Sequence, residues 1–283
     1  MKTSPTPHGH LPKTRDAELI YIRTTIPAAT LERCRDDAVI FVTEPPRHRK
    51  LLRYQSWIVR GSAAGVMCWL CVTASFAATF RWSAASNRIY VESGGSARLT
   101  DIKAALPAAP LDLVDVTNKI WLLRADLQVQ DGCTLVLRGA TVGGDVNQLR
   151  LQSVNAATNC TCVVSITADW GSLDIHSTKI TSWDTMINAP DNNYLANGRA
   201  YIRVRSSLSA NGITPLESRM DITNSEICYL GTDDSESYGL VWKVGGTHPN
   251  PTNSIFDFVN VYGNVVNSYI HDNYFGLYTY GAE

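Results

Sequence analysis

The sequence lacks the short motifs that mark several large classes of enzyme. It contains no nucleophile elbow, no phosphate-binding loop, no dinucleotide-binding fingerprint and no HExxH zinc motif. Each of these motifs holds a reactive or phosphate-binding group at a fixed spacing along the backbone. Their absence sets nucleotide-dependent enzymes and zinc proteases of the HExxH type aside.

The main body of the chain also lacks an excess of positive charge. Residues 61–283 carry 14 Lys and Arg against 20 Asp and Glu, whereas residues 1–60 carry 11 against 6. Nucleic-acid binding draws most of its affinity from clustered cations that neutralise phosphates. The net-acidic body therefore argues against nucleic acid as a partner.

Zinc-type cysteine spacing is missing as well. Of the seven cysteines, four follow residue 80: Cys133, Cys160, Cys162 and Cys228. Cys160 and Cys162 are two residues apart on a predicted strand, so both project to one face, which suits neither a zinc site nor a mutual disulfide. An oxidising compartment would permit pairing of the four, but buried free thiols are the favoured interpretation, and no metal site is predicted.

One uncharged stretch of 20 residues is present, at 61–80. A one-sided basic cluster precedes it: Arg47, Arg49, Lys50, Arg53 and Arg60. This pattern predicts an export signal with cleavage after Ala77, or an uncleaved anchor; a buried soluble helix is a third alternative. We expect an exported protein, periplasmic or extracellular, with membrane contact only through 61–80. Residues 1–60 are then a disordered or wrongly assigned extension that ends in the basic flank.

The most informative feature of the sequence is a six-residue segment that occurs three times. Ile175–Ile180, Ile222–Ile227 and Val265–Ile270 each read as apolar, small polar, apolar, and equivalent positions lie 47 and then 43 residues apart. If one turn of a β-solenoid takes roughly 22 residues, these spacings predict two turns between copies, with other strands in the alternate turns.

Short predicted strands fill the rest of residues 119–283, and Asp131–Gly132, Gly143–Asp145 and Asn197–Gly198 supply the corners between them. Small polar pairs repeated at one corner can form hydrogen-bonded ladders, which favours a parallel β-helix over an antiparallel sandwich. Residues 81–118 predict an N-terminal strand and a short helix, Thr100–Leu106, that caps the first coil. The predicted fold is all-β, a β-helix solenoid with a helical cap.

Arginines alternate along one predicted strand at Arg199, Arg203 and Arg205. All three would project to one face, where guanidinium groups pair bidentately with the carboxylates of an acidic polysaccharide. The alternative is a solvated face with ordinary ion pairs. The acidic cluster Asp233–Glu236 has two alternative interpretations, a Ca²⁺ site and a plain turn. No other cofactor is expected.

The last copy of the repeat continues into His271, Asp272, Tyr278 and Tyr280. Imidazole, carboxylate and phenol groups can take a proton from a sugar carbon and stabilise the charge that results. They can equally be residues of a polar ladder. We therefore list these four with the arginines as candidate substrate-binding residues and assign no catalytic residue.

Several segments resemble a known family. The resemblance runs from about Ile89 to the end and rests on Trp121–Leu127, Gly143–Leu149, Ser237–Leu240 and Phe275–Glu283. They look like the N-terminal half of the right-handed parallel β-helix proteins related to poly(mannuronate) C5-epimerases of the alginate-processing type. The resemblance implies a right-handed β-helix that abstracts the C5 proton of a uronate within a polymer, with a cation neutralising the carboxylate.

One departure limits what the resemblance implies. The family's catalytic His and Asp lie in an Asp-Pro-His-Asp segment, which occurs nowhere in the 283 residues. We therefore expect an inactive, C-terminally truncated form of an exported epimerase or lyase, whose full-length form is a monomer. The alternative is a non-catalytic β-helix that binds polysaccharide or displays a surface at the cell envelope.

Overall fold

The structure is a computed structural model that describes residues 77–153, 163–193 and 198–281. The predicted extension at 1–60 and most of the predicted export segment at 61–80 lie outside these ranges, so both stay predictions. Within the described ranges, no helix has the length and apolar character needed to cross a membrane.

The described chain is built almost entirely of strands, with one α-helix, α1 (Leu99–Ala105). The strands are β1 (Thr79–Ser83), β2 (Arg88–Glu92), β3 (Ser96–Ala97), β4 (Leu111–Asp115), β5 (Ile120–Leu123), β6 (Asp126–Val129), β7 (Thr134–Arg138), β8 (Gln148–Ser153), β9 (Ser165–Asp169), β10 (Ser172–His176), β11 (Lys179–Asp184), β12 (Ala189–Pro190), β13 (Tyr201–Leu208), β14 (Pro215–Leu216), β15 (Arg219–Thr223), β16 (Glu226–Cys228), β17 (Gly239–Val244), β18 (Tyr262–Val266), β19 (Tyr269–His271) and β20 (Phe275–Tyr280).

The strands form three sheets that the chain visits in turn. Sheet A has the order β1-β2-β6-β9-β13-β17-β20, sheet B the order β18-β15-β10-β7-β3 and sheet C the order β19-β16-β11-β8-β5-β4. Neighbouring strands from successive coils are parallel, as in β7-β10-β15 and β8-β11-β16. The prediction of an all-β parallel β-helix is confirmed.

The predicted coil length is wrong. Ile175 pairs directly with Ile222, and Ile222 pairs with Val265, so the copies of the repeat occupy adjacent coils rather than alternate ones. The long spacings arise because extra chain enters these coils: the connection from β11 to β13 that carries β12, the hairpin that ends in β14, and residues 245–261 between β17 and β18. Such insertions leave the register of the stacked strands unchanged. A count of residues alone cannot distinguish an insertion from an additional coil of the solenoid.

Aliphatic side chains line the inside of the coils. Leu149, Ile180, Ile227 and Ile270 come from successive strands of sheet C and are in register, and the first three are fully buried. Burial of one such side chain contributes about 1.5–3 kcal/mol. Because these side chains are buried against the coils above and below, each coil is stabilised mainly by its neighbours.

The corner between sheet B and sheet C repeats in both backbone and side chain. Ser177, Asn224 and Asn267 each have a positive φ at this corner, a conformation that short polar residues tolerate better than branched ones. The next residue in each coil joins a ladder: the Thr178 backbone N–H donates to Ser225 Oγ at 3.2 Å, and the Ser225 backbone N–H donates to Ser268 Oγ at 3.2 Å. The predicted polar ladder is confirmed.

The first coil is covered by the elements around it. The antiparallel strands β1 and β4 pair with β2 and β5, the first parallel-paired strands of sheets A and C. Helix α1 buries Leu99 and Ile102 in the core, which confirms the predicted cap. The helix begins and ends one residue earlier than predicted, because the Asp101 carboxylate accepts the Arg98 backbone N–H at 2.9 Å and starts the helix there.

Candidate functional site

The outer face of sheet A carries a row of cations and tyrosines, which we call the cationic face: Tyr201, Arg203, Arg205, Lys243, Tyr278 and Tyr280. In β13 the half-buried residues of this row alternate with the fully buried Ile202 and Val204. The strand register then aligns the row, because Arg203 pairs with Val241 and Val241 with Tyr278, while Arg205 pairs with Lys243 and Lys243 with Tyr280.

Two carboxylates hold the cations of this face in place. Arg203 Nη1 donates to Glu236 Oε2 at 2.9 Å, and Lys243 donates to the other oxygen of the same carboxylate. Arg205 Nε lies 2.9 Å from Asp169 Oδ1, with its side chain 43% exposed. The hydrogen bond from Lys243 holds the pKa of Glu236 below its usual range, against the opposing effect of burial. Each of the three cations is therefore already paired with a carboxylate of the protein.

Aromatic rings extend the cationic face on its β20 side. The ring of Tyr238 lies 4.8 Å from that of Tyr278 and 5.1 Å from that of Phe275. Lys243 Nζ is 5.9 Å from the centre of the Tyr280 ring, and Phe256 of the 245–261 insertion contacts Tyr280 edge-on at 5.3 Å. The 245–261 insertion therefore borders the cationic face at Tyr280.

The prediction that Arg199 shares the arginine row is wrong. Strand β13 begins only at Tyr201, and the positive φ of Gly198 turns the chain just before it, so the alternation does not reach back to Arg199. The Arg199 side chain is buried and donates to the carbonyl oxygens of Leu230, Gly231 and Asp272 at 3.3, 3.2 and 2.8 Å. It holds two successive corners between sheet C and sheet A together.

The acidic cluster Asp233–Glu236 forms a turn beside the cationic face. The Ser237 backbone N–H donates to the Asp234 carbonyl at 3.0 Å, and Thr232 Oγ1 donates to Asp233 Oδ1 at 3.1 Å. Glu236, at the end of the turn, has a positive φ and directs its carboxylate to Arg203 and Lys243. The Ca²⁺ alternative stays a prediction.

His271 and Asp272 lie away from the cationic face, on sheet C and at its following corner. His271 Nδ1 is 2.6 Å from Asp272 Oδ2, and His271 Nε2 is 3.2 Å from Glu226 Oε1, which also accepts from Lys179 Nζ at 2.6 Å. Burial alone lowers the pKa of His271, but hydrogen bonds to Cys228 and Asp272 outweigh it and raise the pKa to about 9.

Cys228 completes this group, and the sequence analysis missed it. Donor atoms of Glu226, Cys228 and His271 all lie within 4.8 Å of one another. Cys228 pairs with His271 across adjacent strands, 43 residues apart, which is the spacing of the repeat itself. With one coil between copies instead of two, that spacing would have predicted the contact.

A cavity on the outer face of sheet C was also not predicted. It has a volume of about 380 Å³ and is lined by Val114, Leu122, Arg124, Arg150, Trp183, Thr185 and Asn188. The Arg150 guanidinium stacks over the Trp183 ring at 3.7 Å. Burial lowers the pKa of Arg150, although Asp115 opposes the shift.

Comparison with known proteins gives a likeness in fold. No protein-family model matches the chain, and no curated protein matches its sequence. A crystal structure of the periplasmic alginate epimerase AlgG matches with a TM-score of 0.49 and 17% identity, over 68% of this chain and 39% of that chain. A double mutant of AlgG matches with a TM-score of 0.49 and 16% identity over the same shares.

The chain thus spans 39% of the length of the epimerase structures that it resembles. The matching structures are alginate epimerases, the kind of protein that the sequence resembles. At this identity no role of an individual residue carries over from those structures.

Proposed function

We propose that this chain is an exported polysaccharide-modifying protein of the poly(mannuronate) C5-epimerase or lyase type, and that its cationic face binds a uronic acid polymer. The observation that supports the proposal most directly is the alignment of Arg203, Arg205 and Lys243 beside Tyr278 and Tyr280 on adjacent strands. The basic cluster before the uncharged stretch at 61–80 supports export.

The cations provide what a carboxylated polymer requires. Neighbouring strands lie about 4.8 Å apart, so a chain laid across sheet A meets new side chains at every strand. Arginine pairs with a carboxylate through two parallel hydrogen bonds, and tyrosine offers an apolar ring with a polar edge to a sugar. A uronate carboxylate would replace Asp169 on the half-exposed Arg205 first, because that ion pair is the more open to solvent.

The chemical step belongs to the same proposal. Removal of the C5 proton places negative charge next to the uronate carboxylate, and a guanidinium paired with that carboxylate reduces the cost of this charge. No described residue of the cationic face is assigned as the base. A second candidate function is a non-catalytic polysaccharide-binding β-helix, because the described cationic face offers aligned cations and phenols without an assigned base.

Binding of polymannuronate by the full chain tests the cationic face. We expect the double variant Arg203→Met and Arg205→Met to bind at least about tenfold more weakly, because each lost charged hydrogen bond contributes about 1.5–3 kcal/mol. Arg150→Met, an arginine on sheet C, is the matched control and should bind like the wild type. Affinity should fall with added salt, and an uncharged glucan should not compete.

The outcomes separate the two candidate functions. Deuterium incorporation at C5 of polymannuronate in D₂O supports the epimerase type, whereas a new unsaturated chain end, formed as the C4–O bond breaks, supports the lyase type. Binding through the cationic face with neither product supports the non-catalytic alternative. If the double variant binds as tightly as the wild type, the cationic face is not the binding surface.

A further inference from the structure

We propose that Glu226, Cys228 and His271, on the outer face of sheet C, form a Zn²⁺ site. The three residues come from two adjacent strands, β16 and β19, and their register brings Cys228 directly opposite His271. Glu226 and Cys228 are two residues apart on one strand, so their side chains share a face. The inference goes beyond the proposed function and does not depend on it.

The donor atoms already stand near tetrahedral spacing. With bonds of about 2.0 Å to oxygen or nitrogen and about 2.3 Å to sulfur, neighbouring donors in a tetrahedral zinc site lie about 3.3–3.6 Å apart. Here His271 Nε2 is 3.2 Å from Glu226 Oε1, and Cys228 Sγ is 3.9 Å from the same oxygen. All three donors lie within 4.8 Å of one another, so closing the site around an ion requires shifts of up to about 1 Å.

The imidazole is held in the orientation that a ligand needs. Asp272 Oδ2 accepts from His271 Nδ1 at 2.6 Å, which leaves Nε2 directed at Glu226 and Cys228. A carboxylate on the far nitrogen is the usual support of a zinc-binding histidine. Arg199 in turn fixes the backbone of Asp272 through its carbonyl oxygen at 2.8 Å, and the Tyr269 ring stacks on His271 at 4.1 Å.

The donor set selects the metal. Thiolate and imidazole are ligands of zinc and its neighbours among the transition metals, whereas Ca²⁺ and Mg²⁺ require oxygen donors. Three protein ligands leave a fourth position for water. Lys179, which donates to Glu226 Oε1 at 2.6 Å, competes with the ion for that oxygen and opposes its charge.

The absorption spectrum of bound Co²⁺ reports the ligands and geometry of the site. Co²⁺ added to the reduced full-length chain should give a thiolate-to-metal charge-transfer band and the strong visible absorption of a tetrahedral site, and Zn²⁺ should displace it. Zn²⁺ affinity is then measured by competition with a chelating dye, in a reductant that does not bind metal. We expect Cys228→Ser to weaken Zn²⁺ at least about 100-fold and to remove the charge-transfer band.

Three further variants control for effects of Cys228→Ser that do not depend on metal binding. Cys133→Ser makes the same change at the other described buried cysteine, which hydrogen-bonds to the Gly94 carbonyl, and should leave both readouts unchanged. Asp272→Asn keeps a residue that tolerates the positive φ at this position and should weaken Zn²⁺ about 10–100-fold. Lys179→Met should strengthen binding.

Three results overturn the proposal: a wild-type chain that binds no Co²⁺ or Zn²⁺, a Co²⁺ spectrum without the charge-transfer band, or a Cys228→Ser variant that keeps the wild-type affinity. If Cys228→Ser fails to fold by circular dichroism, Asp272→Asn alone decides, because it removes no ligand. Unchanged affinity in a folded Asp272→Asn variant then counts against the site.

Discussion

Arg199→Met is expected to destabilise the chain without weakening polymer binding. In the structure the guanidinium of Arg199 is buried and donates to three backbone carbonyl oxygens, at Leu230, Gly231 and Asp272. Methionine keeps the aliphatic part of the side chain but donates no hydrogen bond, so the variant removes the polar contacts and little of the packing.

The magnitude follows from the three contacts. A hydrogen bond from a charged donor contributes about 1.5–3 kcal/mol, and the two longer contacts, to Leu230 and Gly231, belong at the lower end. The Leu230 oxygen keeps a second partner, the Tyr274 backbone N–H at 2.8 Å. We therefore expect a loss of about 3–5 kcal/mol in the free energy of unfolding, or a fall in Tm of about 6–20 °C for a domain of this size.

Urea unfolding followed by tryptophan fluorescence measures the loss, with Arg205→Met as the matched control. Arg205 is 43% exposed and paired with Asp169, and a surface pair of this kind contributes about 0–1 kcal/mol. The two variants should give opposite patterns, since Arg205→Met should weaken polymer binding and leave stability nearly unchanged. A loss below about 1 kcal/mol for Arg199→Met, or a loss of polymer binding without a loss of stability, would refute the reasoning.

Three further predictions concern the coils and the cationic face. Ser225→Ala should cost about 1–3 kcal/mol in urea unfolding, because the buried Thr178 N–H loses its acceptor; an unchanged midpoint would contradict the ladder. Gly139→Ala should lower Tm strongly, since its Cβ would lie 2.0 Å from a backbone oxygen of the next coil, whereas the control Gly276→Ala meets nothing within 4 Å and should change Tm little. Glu236 has a lowered pKa, so its ionised form contributes stability above the usual pKa of 4.5, and this contribution is lost as pH falls through the lowered value. Glu236→Gln should flatten the acid side of a plot of stability against pH, and an unaltered slope would count against the ion pairs.

The sequence predicted the stacking of strands because the stack repeats a chemical pattern. Ile175, Ile222 and Val265 occupy equivalent positions, and the small polar residues that follow each of them form the predicted corner. Such positions are constrained from both sides, since an inward side chain must be apolar and a corner residue must tolerate a positive φ. The fold class could therefore be predicted before any coordinates.

The coil length and the site could not be predicted in the same way. Residues 245–261 carry no signal that separates an insertion from a further turn, so the count of coils between copies was wrong. That error hid the pairing of Cys228 with His271, which needs adjacent coils. Arg199 was misplaced because the alternation of residues does not show where a strand begins, and Gly198 turns the chain just before β13.

The two insertions between sheet A and sheet B have a consequence for how sequences with this fold can diverge. The β14 hairpin and residues 245–261 both enter at this border and lie against each other, since a Cβ added at Gly212 would be 2.1 Å from Cγ of Pro249. The rungs on either side keep their partners whatever length the border loops take. The pairing of the rungs therefore tolerates loops of different length at this border, provided that a replacement loop buries apolar side chains against the core as Ile255, Val259 and Val261 do.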